Sequence, residues 1–176
     1  MSVLVGIVMG SDSDLPVMKE AAKILDEFGI GWEMIISSAH RAPEKTAAYA
    51  REAAGRGLKA IIAGAGGAAH LAGVIAGHAP LPVIGVPIAS GALNGVDALY
   101  ATVQMPPGIP VATVAVNGAR NAGILAAQII GSADPAVMAK IIAFKDKMAQ
   151  QVEHKSEQLQ QLGYQGYLEK MGGSKS

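Results

Sequence analysis

The sequence predicts a three-layer α/β fold, a doubly wound parallel sheet in flavodoxin-like strand order with helices on both faces. Short apolar runs alternate with stretches of helical periodicity, as parallel strands joined by crossover helices require. The first run, 3–9, is continuous in apolar residues, which fits a strand covered on both faces. A chain of 176 residues with no internal repeat or interdomain linker is of single-domain length. Right-handed crossovers through five such strands then lead to the doubly wound arrangement.

The elements follow in order. Residues 3–9 form the first strand, and the polar turn 10–14 leads into a helix over 15–28 with Val17, Ala21, Ile24, Leu25 and Phe28 on one face. Asp14 can cap that helix, Pro16 suits its first turn and Gly29 ends it. Strand 32–36 and loop 37–42 precede a helix from Pro43 to about Arg56. Strand 60–65 ends in Gly64-Ala65-Gly66-Gly67-Ala68-Ala69-His70, with a short helix from there to about Gly77. Strand 82–86, a long loop to Asn94 and a helix over 96–104 come next, broken by Met105-Pro106-Pro107-Gly108. Strand 110–116 and helix 119–130 complete the alternation, with Ala122, Ala126, Ile129 and Ile130 inward.

Asp134-Pro135 opens a last helix to about Leu162, with an apolar stripe of Val137, Ile141, Phe144 and Met148. Beyond Met148 it turns polar, so that half is expected to leave the body and lie on a partner subunit or in solvent. The expected organisation is one domain over 1–176, its core over about 3–145 and residues 163–176 a partly disordered tail, frayed over 172–176.

Composition narrows the chemistry. The formal charge is zero, so no basic excess points to nucleic acid or an anionic membrane, and anion binding has to be local. There is no Cys, which removes disulfides, thiolate catalysis and Cys-ligated metals. The apolar start is too short to span a bilayer, lacks a basic leader and runs into a turn, so it reads as a buried strand and the expected compartment is the cytoplasm. The apolar set is mostly Ala, Val and Ile, with few aromatics and many Gly. Such flat surfaces suit close packing and could meet a neighbouring subunit.

Doubly wound sheets bind ligands at the carboxyl ends of their strands. The loops there are 10–14, 37–42, 64–70 and 87–94, which makes them one candidate site. Gly10-Ser11-Asp12-Ser13-Asp14 offers backbone N–H groups and hydroxyls to an anion. Its two carboxylates oppose a bare phosphate, and an ordinary capped turn has the same pattern. Ser38-Ala39-His40-Arg41-Ala42-Pro43 places a proton-exchanging His beside an Arg that can hold a phosphate through two parallel donors. Alone, such a pair is usually a surface feature. The glycine loop ending at His70 lets backbone approach a flat ring or a carboxylate, or simply packs a crossover closely. The spacings of His40, His70, His78 and His154 fit no metal pair, and no G-x-S-x-G elbow supports a triad from Ser90, Asn94 and Asp97.

These motifs, taken together, resemble the N5-carboxyaminoimidazole ribonucleotide mutases of purine biosynthesis. The series is Met9-Gly10-Ser11-Asp12-Ser13-Asp14, Ser38-Ala39-His40-Arg41-Ala42-Pro43 and the run from Gly64 to Leu71. Pro82-Val83-Ile84-Gly85-Val86-Pro87, Ala92-Leu93-Asn94-Gly95-Val96-Asp97, Val103-Gln104-Met105-Pro106 and Asn121-Ala122-Gly123-Ile124-Leu125-Ala126-Ala127-Gln128-Ile129 continue it, over roughly residues 5–130. The resemblance implies a homo-octamer with sites at subunit contacts, a small ribonucleotide substrate, and no metal, ATP or biotin. It implies transfer of the carboxylate from N5 to ring carbon C4, with His40 as general acid and base. Ser11 and Arg41 would hold the phosphate and Asp14 the ribose hydroxyls, with Ser38 and Ala39 in the same loop. Gly66, Ala68, His70 and Leu71 would enclose the imidazole and the migrating carboxyl. Three positions depart from the family's usual residues: Ala42 for Thr, Leu15 for Trp and Ala72 for Pro. Two other activities fit the residues less closely. One is a carboxylase using free carbon dioxide, which commonly has Lys after the loop His and lacks the Gly-Ala-Gly-Gly-Ala-Ala-His run. The other is a non-catalytic nucleotide-binding module on the same fold.

Overall fold

The computed structural model of the chain describes residues 2–173. Five parallel strands, β1 (Val3–Met9), β2 (Gly31–Ile36), β3 (Ala60–Gly66), β4 (Val83–Ile88) and β5 (Ala112–Thr113), lie in the order β2-β1-β3-β4-β5. This is the doubly wound, flavodoxin-like order expected from the alternation. The helices are α1 (Leu15–Phe28), α2 (Pro43–Ala53), α3 (Leu71–His78), α4 (Val96–Val103), α5 (Ala119–Gly131) and α6 (Pro135–Gly173).

Strand periodicity divides the core into two layers. Val5, Ile7 and Met9 of β1 point to one face, with Ile62 of β3 and Ile84 and Val86 of β4, and meet α1, α5 and the start of α6. Val8, Ile61, Ala63 and Val83 point to the other face and meet α2 and α3. The first layer is filled by large side chains, including Met18, Ile24, Leu25 and Phe28 of α1. The second combines Ala50 and Ala53 of α2 with Leu71, Ala72 and Ile75 of α3. At Gly64 of β3 an added Cβ would collide with Met18, so glycine lets α1 settle onto the sheet.

Several element ends differ from the sequence expectation. Strand β5 has only Ala112–Thr113, whereas the apolar run spans 110–116; Pro110 cannot donate to a ladder, and β5 is an edge strand paired on one side. Helix α2 closes at Ala53, before Arg56. Asp14 makes no side-chain cap on α1. It belongs to a preceding 3-10 turn, Asp12–Asp14, whose N-cap is Ser11. Gly29 ends α1 as expected, with φ 67° and its N–H donating to Asp26 O at 2.9 Å.

Helix α6 docks at its start and then departs. Val137 and Ile141 are buried, and Phe144 meets Phe28 edge-on at 5.4 Å between ring centroids. Lys140 Nζ donates to Phe28 O at 2.7 Å, where the carbonyls closing α1 attract a cation. Met148, expected in the same stripe, is 43% exposed, because docking ends at Phe144. Helical backbone breaks at Gly163 (φ 66°, ψ 168°) and resumes to Gly173, where a tail had been expected from 163. Lys170 Nζ donates to Gln158 Oε1 at 2.7 Å, so the last segment turns back against the first. Of the residues expected to fray, Gly172 and Gly173 close this segment, and 174–176 lie outside the described residues. No described helix is long and apolar enough to cross a membrane.

Candidate active site

A cleft of about 360 Å³ opens at the carboxyl ends of β1, β2 and β3. Strand β1 sends its chain to the α1 face, while β2 and β3 send theirs to the opposite face, so the loops diverge and leave a crevice. Backbone bonds knit the strand ends. The Gly10 N–H donates to Gly64 O at 3.1 Å and the Ser37 N–H to Met9 O at 2.9 Å. Of the sequence-predicted residues, Ser11, Asp14, Ser38, Ala39, His40, Arg41, Gly66, Ala68 and Leu71 line the cleft. His70 does not line it. It lies against His40 and faces a separate groove beside α4, with Tyr100 and Met105.

The first loop is closed on itself. The Ser11 N–H donates to Asp14 Oδ2 at 3.0 Å, and the Ser11 hydroxyl donates to Asp12 Oδ1 at 2.9 Å. The Ser13 N–H also reaches Asp12 Oδ1, at 3.1 Å. Asp14 is buried, and burial pushes its carboxyl above the usual carboxylate range. The N–H groups of Ser11 and Gly10 oppose that rise.

The second loop sends its side chains outward. His40 and His70 share a hydrogen bond, Nε2 to Nδ1 at 2.9 Å, with the rings edge-on. One proton serves that contact, so the two tautomers are coupled and His40 Nδ1 remains to exchange a proton elsewhere. Arg41 Nη2 donates to Gly10 O at 3.3 Å, and the Arg41 N–H donates to Ser38 Oγ at 3.2 Å. The guanidinium thus bridges the first two loops and keeps further N–H groups open. No carboxylate pairs with it among the described residues.

The loop rests on a buried hydroxyl pair that the sequence did not suggest. Ser37 Oγ and Thr46 Oγ1 lie 2.8 Å apart, and Thr46 also donates to Ala42 O at 3.1 Å. Ala42 carries no hydroxyl, yet its carbonyl is held by a Thr one turn along α2. Spacing of four residues from the loop end into a helix was the available signal.

Gly66 brings backbone to the cleft wall. A Cβ there would stand 2.6 Å from Ser90 Oγ and 3.1 Å from Ile88 O. Ser13 and Ser90, from two of the four loops expected to form the site, also line the cleft. The loop carrying Ser90 is anchored where Asn117 Oδ1 accepts from the Ala89 N–H at 2.9 Å. The hydrogen bonds of His40 and His154 run to His70 and Gln158, so none joins Ser90 to a triad. Exposed His78 and His154 stand apart from the cleft. Among the described residues no three His, Asp or Glu side chains gather as a metal set.

The AIR carboxylase family model matches residues 4–151. An N5-carboxyaminoimidazole ribonucleotide mutase of Thermotoga maritima is 57% identical over 164 residues, covering 93% of this chain and 96% of that one. A phosphoribosylaminoimidazole carboxylase of Schizosaccharomyces pombe is 54% identical over 94% of this chain but only 30% of its own length. The crystal structure of Treponema denticola PurE superposes with a TM-score of 0.81 at 30% identity, covering 89% of this chain and 98% of that one. The chain therefore belongs to the AIR carboxylase family.

Proposed function

We propose that this chain is an isomerase that converts N5-carboxyaminoimidazole ribonucleotide to 4-carboxy-5-aminoimidazole ribonucleotide, with His40 moving the protons. The observation that carries this is the placement of His40 in the wall of a cleft that combines the Arg41 guanidinium, without a carboxylate partner among the described residues, with a glycine-backed wall at Gly66. High identity to proteins named for this reaction supports the substrate.

The steps balance with one acid–base group. His40 gives a proton to N5 of the carbamate. The N–C bond breaks, its electron pair stays on nitrogen, and carbon dioxide is released beside the ring. The enamine carbon C4 attacks that carbon dioxide and forms the new C–C bond. C4 then loses its hydrogen as a proton to His40, restoring the aromatic ring and the acid. Ser11 and Arg41 hold the phosphate, and Asp14 accepts from the ribose hydroxyls. Ala39, Ala68 and Leu71 supply small apolar surface, which excludes water from trapped carbon dioxide. His70, through its bond to His40, orients that ring and shares its proton. Arrangement as an octamer belongs to the same proposal. Exposed apolar side chains along α6, Val152, Leu159 and Leu162, give it surface to bury.

Turnover of the carbamate in labelled bicarbonate tests the reaction. A mutase forms product without taking label from solution. Label entering at the rate of turnover would assign the carboxylase activity for which the Schizosaccharomyces pombe relative is named. His40→Asn should bind substrate and lose about a thousandfold in kcat. A wild-type chain that binds the ribonucleotide without turnover would be a binding module.

A further inference from the structure

We propose that Lys45 is the second cation of the phosphate subsite, and that the phosphate lies on the Lys45 side of Arg41, away from His40. The proposal rests on the ribonucleotide function above and adds a residue and a direction to it.

A second cavity, about 440 Å³, adjoins the His40 cleft. Gly10, Ser11, Ser38 and Arg41 border both. His40, Gly66 and Leu71 border only the first, and Lys45 only the second. The shared polar wall thus separates a lobe with the proton-transfer ring and small apolar surface from a lobe with two cationic side chains. A ribonucleotide has the same polarity, with a flat ring at one end and a dianionic phosphate at the other.

Charge counting requires the second cation. Asp12 also borders the Lys45 lobe, and its carboxylate offsets the single charge of Arg41. The first loop adds no positive charge, and its Ser11 N–H, Ser11 hydroxyl and Ser13 N–H already bond Asp14 and Asp12. Lys45 supplies the missing charge. Its ammonium makes one long contact, 3.5 Å to Ile36 O, and no ion pair among the described residues. Lys45 also borders an apolar hollow lined by Met9, Leu15 and Met34, a surface on which a lysine stem can rest while its head stays in water.

Steady-state kinetics on the carbamate ribonucleotide, with inorganic phosphate as competitive inhibitor, tests this. Lys45→Met should raise KM about five- to tenfold, weaken phosphate inhibition by the same factor and change kcat less than about twofold. Lys45→Arg should restore both constants, and added salt should shrink the gap. Values for Lys45→Met within about 1.5-fold of wild type, or a loss confined to kcat, overturn the proposal. If the wild-type chain does not turn over the carbamate, the assigned reaction fails separately, and calorimetry with inorganic phosphate still decides Lys45. Weaker phosphate binding by Lys45→Met upholds its role, and equal or undetectable binding by both proteins removes it.

Discussion

The loops after β1 and β2 face each other across one cleft and spend their polar groups in opposite ways. The loop after β1 satisfies itself, with Ser11, Ser13, Asp12 and Asp14 bonded within five residues of chain. The loop after β2 is held from below by Thr46 and from the side by Ser38, and its functional side chains reach other elements. His40 goes to His70 and Arg41 to Gly10 O. A self-satisfied turn keeps its shape but has few donors left for a ligand. A loop supported through its backbone can offer charged and titratable groups at little cost in local stability. In the proposed reaction the first loop therefore shapes the site, and the second carries its chemistry.

Six substitutions can break or sharpen that contrast. The largest effect belongs to His40→Asn, about a thousandfold in kcat with the melting temperature held. Comparable turnover by wild type and variant would end the division of labour. Arg41→Met comes next, with kcat/KM down about 30-fold, since bonds to a charged group contribute about 2 kcal/mol. Arg41→Lys should recover only part, because a fork of donors becomes a point charge. If Ser11→Ala proved more damaging than Arg41→Met, the first loop and not the second would be the main phosphate holder.

Smaller effects fall on stability. Thr46→Val leaves the buried Ser37 hydroxyl without its partner and should cost about 1–2 kcal/mol, read as a lower urea midpoint. An unchanged midpoint would mean that the second loop does not depend on this support. The smallest change is expected from Asp14→Asn, which keeps an acceptor for the Ser11 N–H while removing the charge. Burial raises the folded-state pKa of Asp14 above its ordinary 3.8. Between those two values the native chain binds more protons than the unfolded chain. The contribution of Asp14 to stability is therefore full below 3.8 and lost as pH rises through the folded pKa. Melting temperatures at about pH 4 and pH 7 should show wild type losing ground to Asp14→Asn at the higher pH. A difference that is flat or opposite in sign would remove burial as the dominant influence on this carboxyl.

Much of the molecule was legible in local pattern. Continuous apolar strands, Pro16 and Pro43 near helix starts and Gly29 at a helix end are written within a few residues of where they act. The strand-end loops could be ranked as a site because the fold class itself puts ligands there. Strand β5 was misjudged in length because Val, Ala and Thr at an edge have the same composition as a paired strand, and pairing depends on a neighbour. Met148 continued the stripe on paper, but helix periodicity does not say where the body ends.

Ser38–Arg41 is the clearest division between the two kinds of information. Residue types and their place after a strand determined that a proton-exchanging ring would sit beside an anion-binding cation. Only the tertiary structure decided that His70, 30 residues away, stands behind His40 and outside the cleft. The same is true of Lys45, which gains its place from the cavity beyond Arg41. Local propensity acts through bonds and turns of a few residues. Side-chain partners from separate loops are chosen by the register of β1 against β2 and β3, and that register is set by packing on both faces of the sheet.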